Sequence, residues 1–238
     1  MQMLRPGLGA VLVLLASATA TPPIVHAGAP GAGAHARVVP AVDRAGALAA
    51  EVAAPEPGVP ESGADLIGQP APRWSFTRWA GSAPLSLKEL RGKVVLLRWW
   101  TEDCHYCAAT LPGIEALRAA HAGEGLVVIG AFHPKPPREV SDRHILAVAS
   151  RLGFAGPIAV DRDWSTLDRY WLDGHPERSW TSVSFLIDRA GIIRWVHGGG
   201  EYHPSSDPRH RQCDLEYRGL ERALSAALAQ PAAARPTP

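Results

Sequence analysis

The unbroken apolar run Val94-Val95-Leu96-Leu97 leads through Arg98 into Trp99 and Trp100. A run of this kind reads as a strand buried on both faces, here over residues 94–100. Past Cys107, apolar residues fall at Leu111, Ile114 and Leu117, a helical spacing that predicts a helix from about Cys104 to Ala122, ending near Gly123. A second apolar strand follows at 126–132, then a proline-rich loop at 133–137. Ser141 is placed to cap a helix reaching Leu152, with Gly153 closing it. Residues 158–160 read as a short strand and 164–172 as an aromatic-rich helical insertion. The runs 183–187 and 192–196 flank Asp188-Arg189-Ala190-Gly191 as a hairpin. A closing helix at 214–229 puts Tyr217, Leu220, Leu224 and Leu228 on one stripe. Upstream, 74–79 and 84–87 around Ala80-Gly81-Ser82 predict an N-terminal β-hairpin. A right-handed crossover makes the two long apolar strands parallel, and chemistry in such sheets gathers at their carboxyl ends. That edge carries Cys104, Cys107 and His133.

Cys104 and Cys107 therefore sit where a strand hands over to a helix N-terminus. Unpaired N–H groups and the positive end of the helix dipole favour a thiolate there, lowering a thiol pKa from about 8.5 to about 3.5–7.5. With two residues between the sulfurs, the second thiol can attack a mixed disulfide held on the first. Cys104 is thus the candidate nucleophile and Cys107 the resolving thiol. His105, when protonated, stabilises the thiolate beside it and makes the disulfide more oxidising. CxxC also occurs in zinc sites, but no second CxxC exists to complete one.

The strand before CxxC, Trp99 and Trp100 just ahead of it, and Pro112 five residues after Cys107 resemble the thioredoxin superfamily, and within it the secreted TlpA-like and redoxin branch. Phe185-Leu186-Ile187-Asp188-Arg189-Ala190-Gly191-Ile192-Ile193-Arg194 is similar to that family's distal hairpin, and Leu85-Ser86-Leu87-Lys88-Glu89-Leu90-Arg91-Gly92-Lys93 to its entry into the central strand. The resemblance spans residues 66–228. It implies an α/β thioredoxin-like fold: a central mixed sheet flanked by helices, with the N-terminal hairpin and the helical insertion. It further implies a protein-disulfide oxidoreductase whose only redox group is the Cys104–Cys107 disulfide, with no other cofactor. Protein disulfides or dithiols are the implied substrates, and a membrane electron donor or acceptor the implied partner.

Arg98 stands where cytosolic relatives carry a buried acid. It cannot shuttle protons, but it can stabilise a thiolate or pair with Glu102 or Asp103, and if buried it calls for a carboxylate. Thr101 makes the T-x-x-C of peroxiredoxins without their upstream proline, since Leu97 stands in its place. Where the family has a cis-proline facing the disulfide, this chain has Thr181 and Ser182; a non-proline cis bond costs about 2.5–4 kcal/mol, so a trans backbone is expected. Two other functions stay open. One is a thiol peroxidase, and the other a copper carrier using both cysteines with His133, His197 or His203.

The flanks and composition add a compartment. Arg5, the apolar stretch 8–16 and Ala18-Thr19-Ala20 read as a signal peptide over 1–20, and an uncleaved anchor is the alternative. Residues 21–63, rich in Ala, Pro and Gly, read as a linker, 64–229 as the domain and 230–238 as a disordered tail. The chain is expected in the periplasm or secreted, where cysteines oxidise. With 24 basic and 23 acidic residues, nothing points to nucleic acid. Cys213 is left over among three cysteines, and the closing helix is expected to lie away from the active-site helix, so no Cys104–Cys213 bridge is expected. Histidines and a cysteine can bind zinc or copper, and Val196–Pro204 with His210 and Cys213 holds several. Ten histidines make chance clustering common, and no metal is assigned.

Overall fold

The computed structural model describes residues 62–231. The expected signal peptide, the linker up to residue 61 and the tail from residue 232 lie outside them. No helix among the described residues is long and apolar enough to cross a membrane.

Six strands form one mixed sheet in the order β1-β4-β3-β2-β5-β6. They are β1 (Arg78–Ala80), β2 (Val94–Trp100), β3 (Leu126–Phe132), β4 (Ile158–Val160), β5 (Ser184–Ile187) and β6 (Ile193–His197). The two long apolar strands are parallel in register Val94↔Leu126 through Trp100↔Phe132, as their crossover requires. Every residue of β2 is buried, which is why it carries no polar alternation. β5 runs antiparallel beside it, setting Arg98 opposite Ser184.

Helices α1 (His105–His121), α2 (Asp142–Arg151) and α4 (Arg211–Leu228) pack on one face, against Val94, Leu96, Trp100, Val128 and Phe132. Ser141 caps α2 by accepting from the His144 N–H, and Gly153 follows its end at φ 72°. The other face is closed by Trp74, Phe76 and Trp79 and by the turn of α3 (Ser165–Leu167) and a π-helical segment (Asp168–Leu172), which brings Leu167, Tyr170 and Trp171 onto Val95, Leu97 and Trp99. Asp161, fully buried after β4, accepts from Trp99 Nε1 (2.9 Å), Leu167 N (2.8 Å) and Thr166 N (3.1 Å) and so ties that turn to the central strand.

Two expectations need correction. The N-terminal hairpin does not form: β1 is a lone edge strand antiparallel to β4, and 84–87 are not a strand. Ser86 and Glu89 bond to each other and Leu90 N bonds to Ser86 O, so this segment winds into a turn. The segments meet through a side chain instead, Trp74 Nε1 donating to Leu85 O (2.8 Å). Secondly, α4 shares a face with α1, its Tyr217 hydroxyl reaching Gly113 O in α1 (3.3 Å), because the aromatics of the N-terminal segment already cover the opposite face.

Candidate active site

Asp103, in the left-handed region at φ 56°, turns the chain sharply after β2 and sets Cys104 as the N-cap of α1. The Cys104 sulfur accepts from the Cys107 N–H (3.1 Å), one of the helix's first unpaired donors. The two cysteines form a disulfide with Cα atoms 5.2 Å apart. Cys107 is fully buried against Leu111 and Trp100, whereas Cys104 is only partly buried and borders a cleft of about 320 Å³. Thr101, Glu102, His105, Tyr106, Lys135 and the segment Ser179–Ser182 line the rest of that cleft. The His105 ring is exposed and lies on Tyr106 (centroids 3.8 Å apart), which meets Trp180 edge-on. Trp180 packs where a Cβ on Gly199 would stand (2.3 Å), so Gly199, at φ 118°, cannot be replaced without moving a wall of the cleft.

The segment facing the disulfide is held from below. The Ser182 hydroxyl lies 3.8 Å from the Cys104 sulfur. Thr181, its neighbour, bonds His133 Nε2 (2.9 Å), and His133 Nδ1 meets the Trp100 carbonyl (2.9 Å). A carbonyl only accepts, so Nδ1 carries the proton and Nε2 accepts from the Thr181 hydroxyl. Burial, with Lys135 and Arg98 nearby, pulls the His133 pKa down to about 3, so the ring is neutral. Among the described residues the one cis peptide bond is Lys135–Pro136; the bond from Thr181 to Ser182 is trans, as expected.

Arg98 is wholly buried and, among the described residues, has no carboxylate partner, contrary to expectation. Its guanidinium donates to the Ser182 carbonyl (2.5 Å), the Ser184 hydroxyl (3.2 Å) and the Gly200 carbonyl (3.0 Å), and lies 5.4 Å from the Tyr202 ring centroid. Converging carbonyl dipoles and a π-face replace the acid. Glu102, offered for that role, is taken by Arg138 and His144 on the surface. Desolvation still lowers the Arg98 pKa, but Arg98 remains a buried cation bonded to Ser182, the residue whose hydroxyl lies beside the Cys104 sulfur.

The other sequence candidates divide. Thr101 lines the cleft, its buried hydroxyl without a hydrogen-bond partner among the described residues. His133 has both nitrogens engaged, and His197 is buried between Trp195 and Tyr202. His203 lies with Cys213, so the geometry does not assemble a copper site at the CxxC. Cys213 is unbridged, and burial together with Glu201 pushes its thiol pKa up. Sequence reasoning missed Ser184 and Asp161. Ser184 was legible only through its pairing with Arg98, and Asp161 as an acid closing an apolar strand.

Residues 67–196, more than half of the chain, match the AhpC/TSA family. The chain is 34% identical over 124 residues to Protein DipZ of Mycobacterium tuberculosis, covering 52% of this chain and 17% of that one. It is 29% identical over 116 residues to the thiol-disulfide oxidoreductase ResA of Halalkalibacterium halodurans, covering 49% and 60%. The chain thus spans only a part of either relative. A solved thiol-disulfide isomerase from Corynebacterium glutamicum superposes with a TM-score of 0.50 at 24% identity, over 67% of this chain and 97% of that one; the likeness is one of fold, and the fold is thioredoxin-like. By the extent of the match to its family model, the chain belongs to the AhpC/TSA family.

Proposed function

We propose that the protein is an exported thiol–disulfide oxidoreductase acting on other extracytoplasmic proteins through Cys104 and Cys107. The observation that carries this is the disulfide at the N-terminus of α1, with one sulfur bordering an open cleft and the other buried. In the reducing direction, the Cys104 thiolate attacks a substrate disulfide. The substrate S–S bond breaks, its leaving sulfur takes a proton, and a mixed disulfide forms on Cys104. Cys107, giving up its proton, then attacks the Cys104 sulfur, so the substrate leaves as a dithiol and the Cys104–Cys107 bond re-forms. Two electrons and two protons have moved to the substrate. The oxidising direction is the reverse, and a dithiol or disulfide partner at the membrane resets the couple.

Three features support Cys104 as nucleophile: its exposure, the Cys107 N–H aimed at it, and the Ser182 hydroxyl beside it. His105 adds positive charge on the solvent side when protonated, and Arg98 positions Ser182 from within. The electrons reside on the sulfurs, so the exchange needs no other cofactor. The N-terminal signal pattern supports export. The test is reduction of insulin by dithiothreitol with catalytic amounts of protein: acceleration by the wild type and none by Cys104→Ser supports the proposal. Equal rates for the two proteins, or peroxide consumption far outpacing disulfide exchange, overturns it.

A further inference from the structure

Beyond the disulfide, the strand-like alternation Gly200-Glu201-Tyr202-His203 splits the chain after β6 between two duties. The Gly200 carbonyl and the buried Tyr202 face inward. The carbonyl accepts from Arg98, the Tyr202 hydroxyl meets the Ser184 hydroxyl (2.7 Å), and its N–H donates to the Thr110 hydroxyl (3.2 Å). Glu201 and His203 fall on the other side, against His210, at the N-cap position of α4, and Cys213 in its first turn. One ligating atom from each of Glu201, His203, His210 and Cys213 lies within 4.8 Å of the other three, and all four residues are partly buried. The sulfur of Cys213 is 3.6 Å from Glu201 Oε1 and 3.8 Å from His210 Nδ1, and Nδ1 is 3.6 Å from Oε1.

We infer that these four side chains form a binding site for a divalent zinc ion. Zinc takes four ligands tetrahedrally, at about 2.3 Å to sulfur and about 2.0–2.2 Å to imidazole nitrogen or carboxylate oxygen. A tetrahedron with such arms separates its donor atoms by about 3.3–3.6 Å, and the three distances above already lie within a few tenths of an ångström of that. Two imidazoles, one thiolate and one carboxylate form a borderline-soft set suited to this ion, and their two negative charges neutralise the dication. Oxygen-seeking magnesium or calcium fits it poorly. Partial burial leaves a route for entry. On binding, the Cys213 thiol gives its proton to solvent as the sulfur–metal bond forms, with no change of oxidation state.

Hydrogen bonds fix the scaffold around the donors. Asp207 accepts from the Arg209 N–H at the turn leading to His210, Ser205 N donates to Asp214 Oδ1 (3.2 Å), and His203 N donates to Cys213 O (3.3 Å). His210 and Cys213 are three residues apart, so the start of α4 sets them side by side.

The test is equilibrium competition for zinc between a chromophoric chelator and the full chain with Cys104–Cys107 oxidised. The expected result is one ion per chain, with Cys213→Ser and His210→Ala each weakening binding by roughly a hundredfold or more, since even supporting residues around metal ligands contribute 10–100-fold. Cobalt should give a thiolate charge-transfer band that Cys213→Ser abolishes. A Cys104→Ser, Cys107→Ser double variant should bind as the wild type does, which separates this site from the redox one. Unaltered circular dichroism of metal-free Cys213→Ser and His210→Ala shows that a loss is not unfolding. Wild-type affinity no greater than that of Cys213→Ser, or binding that disappears with Cys104 and Cys107, overturns the inference.

Discussion

Acid should destabilise this fold through His133 in particular. Its pKa lies near 3 in the folded chain, against an ordinary value of 6.5, because the ring is fully buried and Lys135 and Arg98 place positive charge nearby, which outweighs the opposing bond to the Trp100 carbonyl. The sign follows from proton counts. Between about pH 6.5 and about pH 3 the unfolded chain binds a proton that the folded chain refuses, so stability falls as pH falls through that window. The contribution is fully present above the unfolded value. Each pH unit inside the window is worth about 1.4 kcal/mol. The loss is therefore about 2 kcal/mol near pH 5 and about 4 kcal/mol near pH 3, a large share of a typical domain's stability of about 5–15 kcal/mol. His133→Gln removes the titration. It also leaves Trp100 O or the Thr181 hydroxyl unpaired, so the variant should be about 1–3 kcal/mol less stable near pH 7. That deficit should shrink by about 2 kcal/mol near pH 5, because only the wild type pays the proton penalty. Urea unfolding of both proteins, with the Cys104–Cys107 disulfide intact, measures it. His197, whose pKa burial also pulls far down, steepens both curves alike and cancels in the difference. A deficit constant from pH 7 to pH 5 would refute the reasoning and place His133 in contact with water.

Ser182→Ala removes the hydroxyl 3.8 Å from the Cys104 sulfur and should raise the Cys104 pKa by about one unit in the reduced protein, read from the pH dependence of alkylation. An unchanged titration would make Ser182 a spacer. His105→Ala should also raise that pKa and make the couple more reducing in glutathione buffers, whereas an unaltered potential would reduce the exposed ring to a bystander. Asp161→Ala strands three buried N–H donors, of Trp99, Thr166 and Leu167, and should cost about 3 kcal/mol or more in urea unfolding. A loss below about 1 kcal/mol would mean that water takes over the donors.

Much of this arrangement was readable from residues that answer to one constraint at a time. The run at 94–97 had to be buried on both faces, and Ser141 and Gly153 bracket a helix by local chemistry. The CxxC declared its place because a strand and a helix meet there. Where residues serve a distant part of the chain, the pattern misled. The alternating aromatics at 74–79 read as one strand, but only residues 78 and 79 of them join β1, and Trp74, Phe76 and Trp79 together cover a sheet face. Arg98 was expected to need an acid, since nothing local shows that the Ser182 and Gly200 carbonyls, 84 and 102 residues away, converge on it. The donor cluster at Glu201, His203, His210 and Cys213 looked like chance among ten histidines until the loop folded back on the start of α4.

The central claim is that Cys104 at the helix N-terminus takes the substrate sulfur and Cys107 releases it. The most direct measurement is mass mapping of the adducts formed by oxidised glutathione on the single-serine variants, quenched in acid. Cys107→Ser should accumulate glutathione on Cys104, Cys104→Ser should leave Cys107 almost unmodified, and the reduced wild type should pass to the internal disulfide without a lasting adduct. Equal modification of Cys104 and Cys107, or a wild-type adduct that persists on Cys104, would contradict the account.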